Sequence, residues 1–135
     1  LGSEWYPHEL VHMVVEDKER NGMINEGFAT WLGGTSDMTF EQRAKILAQE
    51  LAKNDTVTFN DIVNKKWGWQ FIAYYTTGAI LCKLAYEKGG AAAVKKLLDT
   101  PPDNEMLIAV MCEILKISTA DFDAFVRKEI LKYLK

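Results

Sequence analysis

WQFIAYYTTGAILCKLAYEKGG, residues 69–90, is the stretch on which the fold turns. Wound as a helix, it puts apolar side chains on nearly every face. A helix that is apolar all round is normally covered by its neighbours, so the pattern predicts a central helix with the rest of the chain packed about it. Gly89-Gly90 ends this run, "AAAVKKLLDT" resumes a helical pattern, and Pro101-Pro102 stops that in turn.

Outward from this core the punctuation stays helical. Downstream, "NEMLIAVMCEILK" is amphipathic, and Ser118 with Asp121 three residues on is expected to cap "DFDAFVRKEILKYL". Upstream, Thr39 and Gln42 have the spacing of a capping box for "FEQRAKILAQELAK", whose Phe40, Ala44, Leu47 and Leu51 share one stripe. "TFNDIVNKKWG" is short and mixed, one or two helical turns. Asn21-Gly22 reads as a turn before a helix over "MINEGFATWL", which Gly33-Gly34 stops. Pro7 suits the first turn of a helix through "HELVHMVVEDK", because its missing N–H would have no intrahelical partner there. With no convincing strand, repeat or linker, the expectation is an all-α fold. About seven helices surround the long one, residues 1–36 holding the site helices and 37–135 the larger helical part.

The chain's 135 residues are enough for one core. Its 48% hydrophobic and 26% charged content are those of a globular protein. Sixteen basic against nineteen acidic residues give −3, which argues against nucleic acid as a partner. No apolar run approaches the roughly 20 residues that span a bilayer, and the start lacks a signal peptide's apolar stretch. Cys82 and Cys112, each in an apolar helical pattern, read as buried thiols, with a disulfide or metal role as the alternative. Trp5, Trp31, Trp67 and Trp69 read as core or groove lining, and Lys65-Lys66 and Lys95-Lys96 as solvated faces.

The chemistry lies at the start. His8 and His12 are the chain's two histidines, four apart in "PHELVH". On a helix that spacing puts both imidazoles on one face, about 5–6 Å apart at Cβ, so both reach one metal ion. Glu9, about a quarter-turn round, is displaced from the ligand set yet near enough to touch a water there. Glu26, in "NEGFATWL", supplies a third ligand from the next helix, and three ligands with an open fourth position make a catalytic zinc site. Such convergence requires the first helix to stop early, near Asp17 or Lys18, or the two helices to cross steeply. A helix running to Arg20 would carry the chain about 12 Å past His12.

"PHELVH" followed by "NEGFATWL" resembles the gluzincins, zinc peptidases of the thermolysin-like and leucine-aminopeptidase-like groups. "YYTTGAILCKLAYEKGG" is similar to the segment in which that family places a tyrosine three residues before a glycine on a long helix. The resemblance runs from about Tyr6 to Leu98. It implies a helical zinc-peptidase subdomain in which His8, His12 and Glu26 hold Zn2+, Glu9 is the general base and Tyr75 steadies the oxyanion, with Tyr74 an adjacent competitor. The substrate it implies is a peptide or protein. Gly78, on the Tyr75 face, would let the zinc helix approach closely. The resemblance also leans towards an extracytoplasmic location.

The chain departs from the family in three ways. The loop between His12 and Glu26 is shorter. The acidic residue expected four positions after the third ligand is Thr30, which can accept a hydrogen bond but adds no charge; Glu16, four after His12, is another candidate to orient that imidazole. The family's upstream β-subdomain, whose edge strand holds substrate, has no counterpart in the seven residues before His8. It is therefore expected in a longer parent chain, or substrate is held in another way. The competing class is a non-catalytic helical module that docks a protein partner.

Overall fold

The structure, a computed structural model, describes residues 21–33, 38–67 and 70–134. They form six α-helices: α1 (Gly22–Gly33), α2 (Phe40–Ala52), α3 (Phe59–Val63), α4 (Gln70–Leu98), α5 (Asn104–Leu115) and α6 (Thr119–Leu131), closed by a 3-10 turn over Lys132–Leu134. No strand occurs among the described residues, and the all-α expectation holds.

Local sequence accounts for most of the helix starts. At α2 the Thr39 hydroxyl accepts the Gln42 N–H at 3.1 Å while the Gln42 side chain accepts the Thr39 N–H at 2.9 Å, the capping box that the spacing predicts. A second box, unforeseen, starts α3: Thr58 accepts the Asp61 N–H at 3.2 Å, and Asp61 accepts the Thr58 N–H at 3.0 Å. At α6 Ser118 does take the cap position, but its hydroxyl donates to the Asp121 carboxylate at 3.0 Å and makes no cap hydrogen bond to the backbone. The break after residue 89 is also present. Gly90 has φ 67° and ψ −157°, a conformation open to glycine alone at little cost.

The first leg of α4, residues 70–89, is the central helix. Ala73, Ala79, Ile80, Leu81, Cys82, Leu84 and Ala85 are all buried along it. As a whole α4 packs most extensively on α1 and also meets α2, α3 and α5, while α6 lies across α2 and α3. Phe59 and Phe122 meet edge-on at 5.0 Å between α3 and α6. Cys82 and Cys112 are free and buried, and burial pushes the Cys82 thiol far above its ordinary pKa. No helix among the described residues is long and apolar enough to cross a membrane.

One long-range tie holds this arrangement together. The Arg127 guanidinium of α6 donates to the carbonyls of Leu51 (2.9 Å), Asn54 (3.1 Å) and Val57 (3.1 Å), the segment that leaves α2 and enters α3. The Leu51 and Asn54 carbonyls also accept backbone N–H groups, from Asn54 at 3.0 Å and Val57 at 3.3 Å, so the fork adds a second, charged donor to the turn that joins the two helices. Arg127→Met keeps much of the stem's packing and removes the fork. It is expected to lower the unfolding free energy by about 2–4 kcal/mol, given about 1.5–3 kcal/mol for each intact charged hydrogen bond and partial resolvation of the carbonyls. Chemical denaturation checks this, and an unchanged midpoint would show that the tie contributes nothing.

Candidate metal centre

Of the residues assigned to zinc chemistry, Glu26, Thr30 and Tyr75 are described. His8, Glu9, His12 and Glu16 lie outside the described residues, as does the expectation about where the first helix stops.

The helix carrying Glu26 is anchored at its start. Asn21, expected as a turn residue, is instead the helix cap: its side-chain oxygen accepts the Met23 N–H at 3.0 Å and the Ile24 N–H at 3.4 Å. Its own N–H donates to the Thr100 carbonyl at 3.2 Å, and its side-chain amide donates to Asn104 at 3.0 Å. The buried face of α1 is Met23, Ile24, Gly27, Phe28, Thr30, Trp31 and Leu32. Trp31 is 2% exposed and meets the rings of Phe28 and Tyr86, so it is core, as expected. Glu26 is on the opposite, exposed stripe with Gly22, Asn25 and Ala29.

Two glycines set the crossing of α1 and α4. A methyl group at Gly27 would fall on the carbonyl carbon of Gly78 and lie 2.6 Å from the Ala79 nitrogen. One at Gly78 would fall on the Met23 carbonyl oxygen. The backbones are therefore in contact, which only residues without Cβ permit. A close approach at Gly78 is made by the Glu26 helix; the histidine helix, to which the approach was assigned, lies outside the described residues. That glycine pair places Glu26 beside the tyrosines of α4.

Tyr74 and Tyr75 are both half-buried, their rings 5.9 Å apart. The Tyr74 phenol reaches α1: a methyl group at Gly22 would lie 2.6 Å from its oxygen. Burial, then the negative charge of Glu26, then Tyr75 raise the Tyr74 pKa, so the phenol stays protonated. The Lys65 ammonium lies 4.6 Å from the centre of the Tyr74 ring, on a backbone in the left-handed region at φ 59°. Lys65 and Lys66 are exposed, as expected, and Lys65 also lies over an aromatic face. The family resemblance favoured Tyr75 and could not show that the phenol of its neighbour reaches α1; the signal available was Gly22, one turn before Glu26.

Thr30 is buried, and its hydroxyl donates to the Glu26 main-chain carbonyl at 2.9 Å, which leaves its lone pairs as acceptors. The Glu26 carboxylate makes no hydrogen bond or ion pair among the described residues. An exposed carboxylate of this kind suits a cation ligand. No group of three or more His, Cys, Asp or Glu converges among the described residues, a set that contains neither histidine. A separate cleft of about 320 Å³ lies between α4, α6 and the final turn, lined by Lys83, Glu87, Glu129, Lys132 and Tyr133. Its charges pair with one another, Lys83 with Glu87 and Lys132 with Glu129.

Comparison of the chain with protein-family models, with characterised proteins and with solved structures finds no match.

Proposed function

We propose that the chain is the helical, zinc-binding part of a peptidase of gluzincin type that hydrolyses peptide bonds. The observation that carries this reading is the position of Glu26. It is exposed on a helix whose backbone rests against the tyrosine helix, beside a phenol, and its carboxylate has no hydrogen-bond or ion-pair partner among the described residues. The sequence adds His8 and His12 at the spacing one metal ion needs.

In this reading His8, His12 and Glu26 hold the ion. When bound, zinc supplies a water whose pKa is lowered to about 7. Glu9 would serve as the general base towards that water and would return the proton to the departing amine. Tyr75 donates a hydrogen bond to the carbonyl oxygen as it gains charge, a contact whose loss typically costs about 10²–10³ in rate. Extended substrate would be gripped by strands supplied from elsewhere in a longer parent chain.

Metal analysis tests the assignment. The purified chain, equilibrated with zinc and then dialysed, is expected to retain one ion per molecule. Glu26→Ala is expected to weaken binding by more than the roughly 10–100-fold that follows loss of an outer-shell partner. A chain that retains no zinc would overturn the proposal. Zinc retained without peptide hydrolysis by the parent protein would favour the non-catalytic docking module.

A further inference from the structure

Resting on that reading, we propose that Tyr74 is a positioning residue: its hydroxyl orients the Glu26 carboxylate, leaving Tyr75 to face the substrate. Gly22 and Glu26 lie one turn apart on the exposed stripe of α1, the spacing at which residues sit on one face. The Tyr74 oxygen occupies the space that a side chain at Gly22 would fill. It therefore lies on the Glu26 side of the helix, about one turn away. The ring is backed by the Lys65 ammonium at 4.6 Å and flanked by Tyr75 at 5.9 Å. A ring held between a cation and a helix backbone presents its hydroxyl in a restricted direction.

The chemistry calls for such a donor. A carboxylate that binds a metal is itself normally hydrogen-bonded, and those outer partners fix which oxygen meets the ion. Among the described residues no group donates a hydrogen bond to the Glu26 carboxylate, and the Tyr74 phenol, one turn away at Gly22, is the donor placed to swing onto it. Thr30, the residue at the family's usual orienting position, donates to the main-chain carbonyl of Glu26. Tyr74 supplies a neutral phenol, the ordinary state of a tyrosine side chain at neutral pH. A neutral donor orients the ligand without competing for it as a second anion or cation would.

Two variants test the idea by zinc affinity, measured on the full chain in competition with a chromogenic chelator. Tyr74→Phe keeps the ring and removes only the hydroxyl. It is expected to weaken zinc binding about 10–100-fold, to change the visible spectrum of the cobalt-substituted protein, and to leave the melting temperature of the metal-free chain unchanged. Gly22→Ala puts a methyl group where the phenol oxygen sits and gives α1 a better helix former. Its zinc affinity is expected to fall although its metal-free melting temperature is equal or higher, a divergence that a purely structural role would not produce. If Tyr74→Phe binds zinc as tightly as the wild type, with the same cobalt spectrum, the positioning role is wrong and the zinc site survives. A wild-type chain that binds no zinc removes both.

Discussion

Gly78→Ala is expected to destabilise the fold by roughly 2–3 kcal/mol, even though alanine is the better helix former by about 1 kcal/mol. The new methyl group would land on the Met23 carbonyl oxygen, with the Met23 Cγ at 2.9 Å and its carbonyl carbon at 3.0 Å. Two of these three atoms are backbone and cannot rotate away, so α1 has to move off α4 as a unit. That movement loosens the burial of Met23, Ile24, Phe28 and Trp31, each at most 2% exposed. Close-packed interiors do not absorb such a shift. Gly33 is the control. A methyl group there meets nothing within 4 Å, so Gly33→Ala should leave the denaturation midpoint within a few tenths of a kcal/mol of wild type or raise it. Equal midpoints for Gly78→Ala and wild type would mean that the two helices do not cross as closely as described. The same shift carries Glu26 with it, so Gly78→Ala should also weaken zinc binding.

Glu9→Gln should leave zinc bound and abolish most of the hydrolysis. The amide is nearly the same size as the acid and can still hydrogen-bond to a water, but it cannot take up a proton at neutral pH. General-base catalysis typically contributes about 10²–10⁴ in rate, so kcat for a peptide should fall by at least that range while metal content stays at one ion per chain. Zinc lost along with activity would place Glu9 among the ligands instead. Unchanged turnover would remove it from the chemistry altogether.

The features legible in the sequence are those whose physics is local or periodic. Thr39 and Gln42 are three apart and cap each other, so their spacing sufficed. The run through α4 is apolar on nearly every face, and the structure buries it without a break from residue 76 to residue 82. Gly89-Gly90 announced a break, and the positive φ falls at Gly90. What escaped notice depends on partners distant in sequence. Asn21 looked like a turn residue because its ties to Thr100 and Asn104 come from the far side of α4. Ser118 sat where a cap should be, but its hydroxyl donates to the Asp121 carboxylate and accepts no backbone N–H. Nothing along the chain says that Arg127 reaches the carbonyls of residues 51–57. At the candidate centre, residue types and spacing singled out Glu26, but which of two adjacent tyrosines turns towards it depends on how α1 crosses α4. That crossing is set by Gly27 and Gly78 together, a pair no periodicity connects.

The lashing of Asn21 to Thr100 and Asn104 makes the double-proline loop between α4 and α5 part of what holds α1, and with it Glu26, in place. From Asn21 to Glu26 is five residues, a rise of about 7 Å, so whatever loosens the loop loosens the carboxylate within little more than a turn. A chain opened there, by a protease or by relocating its termini, would keep its helices and its core yet surrender the stiffness at the start of α1.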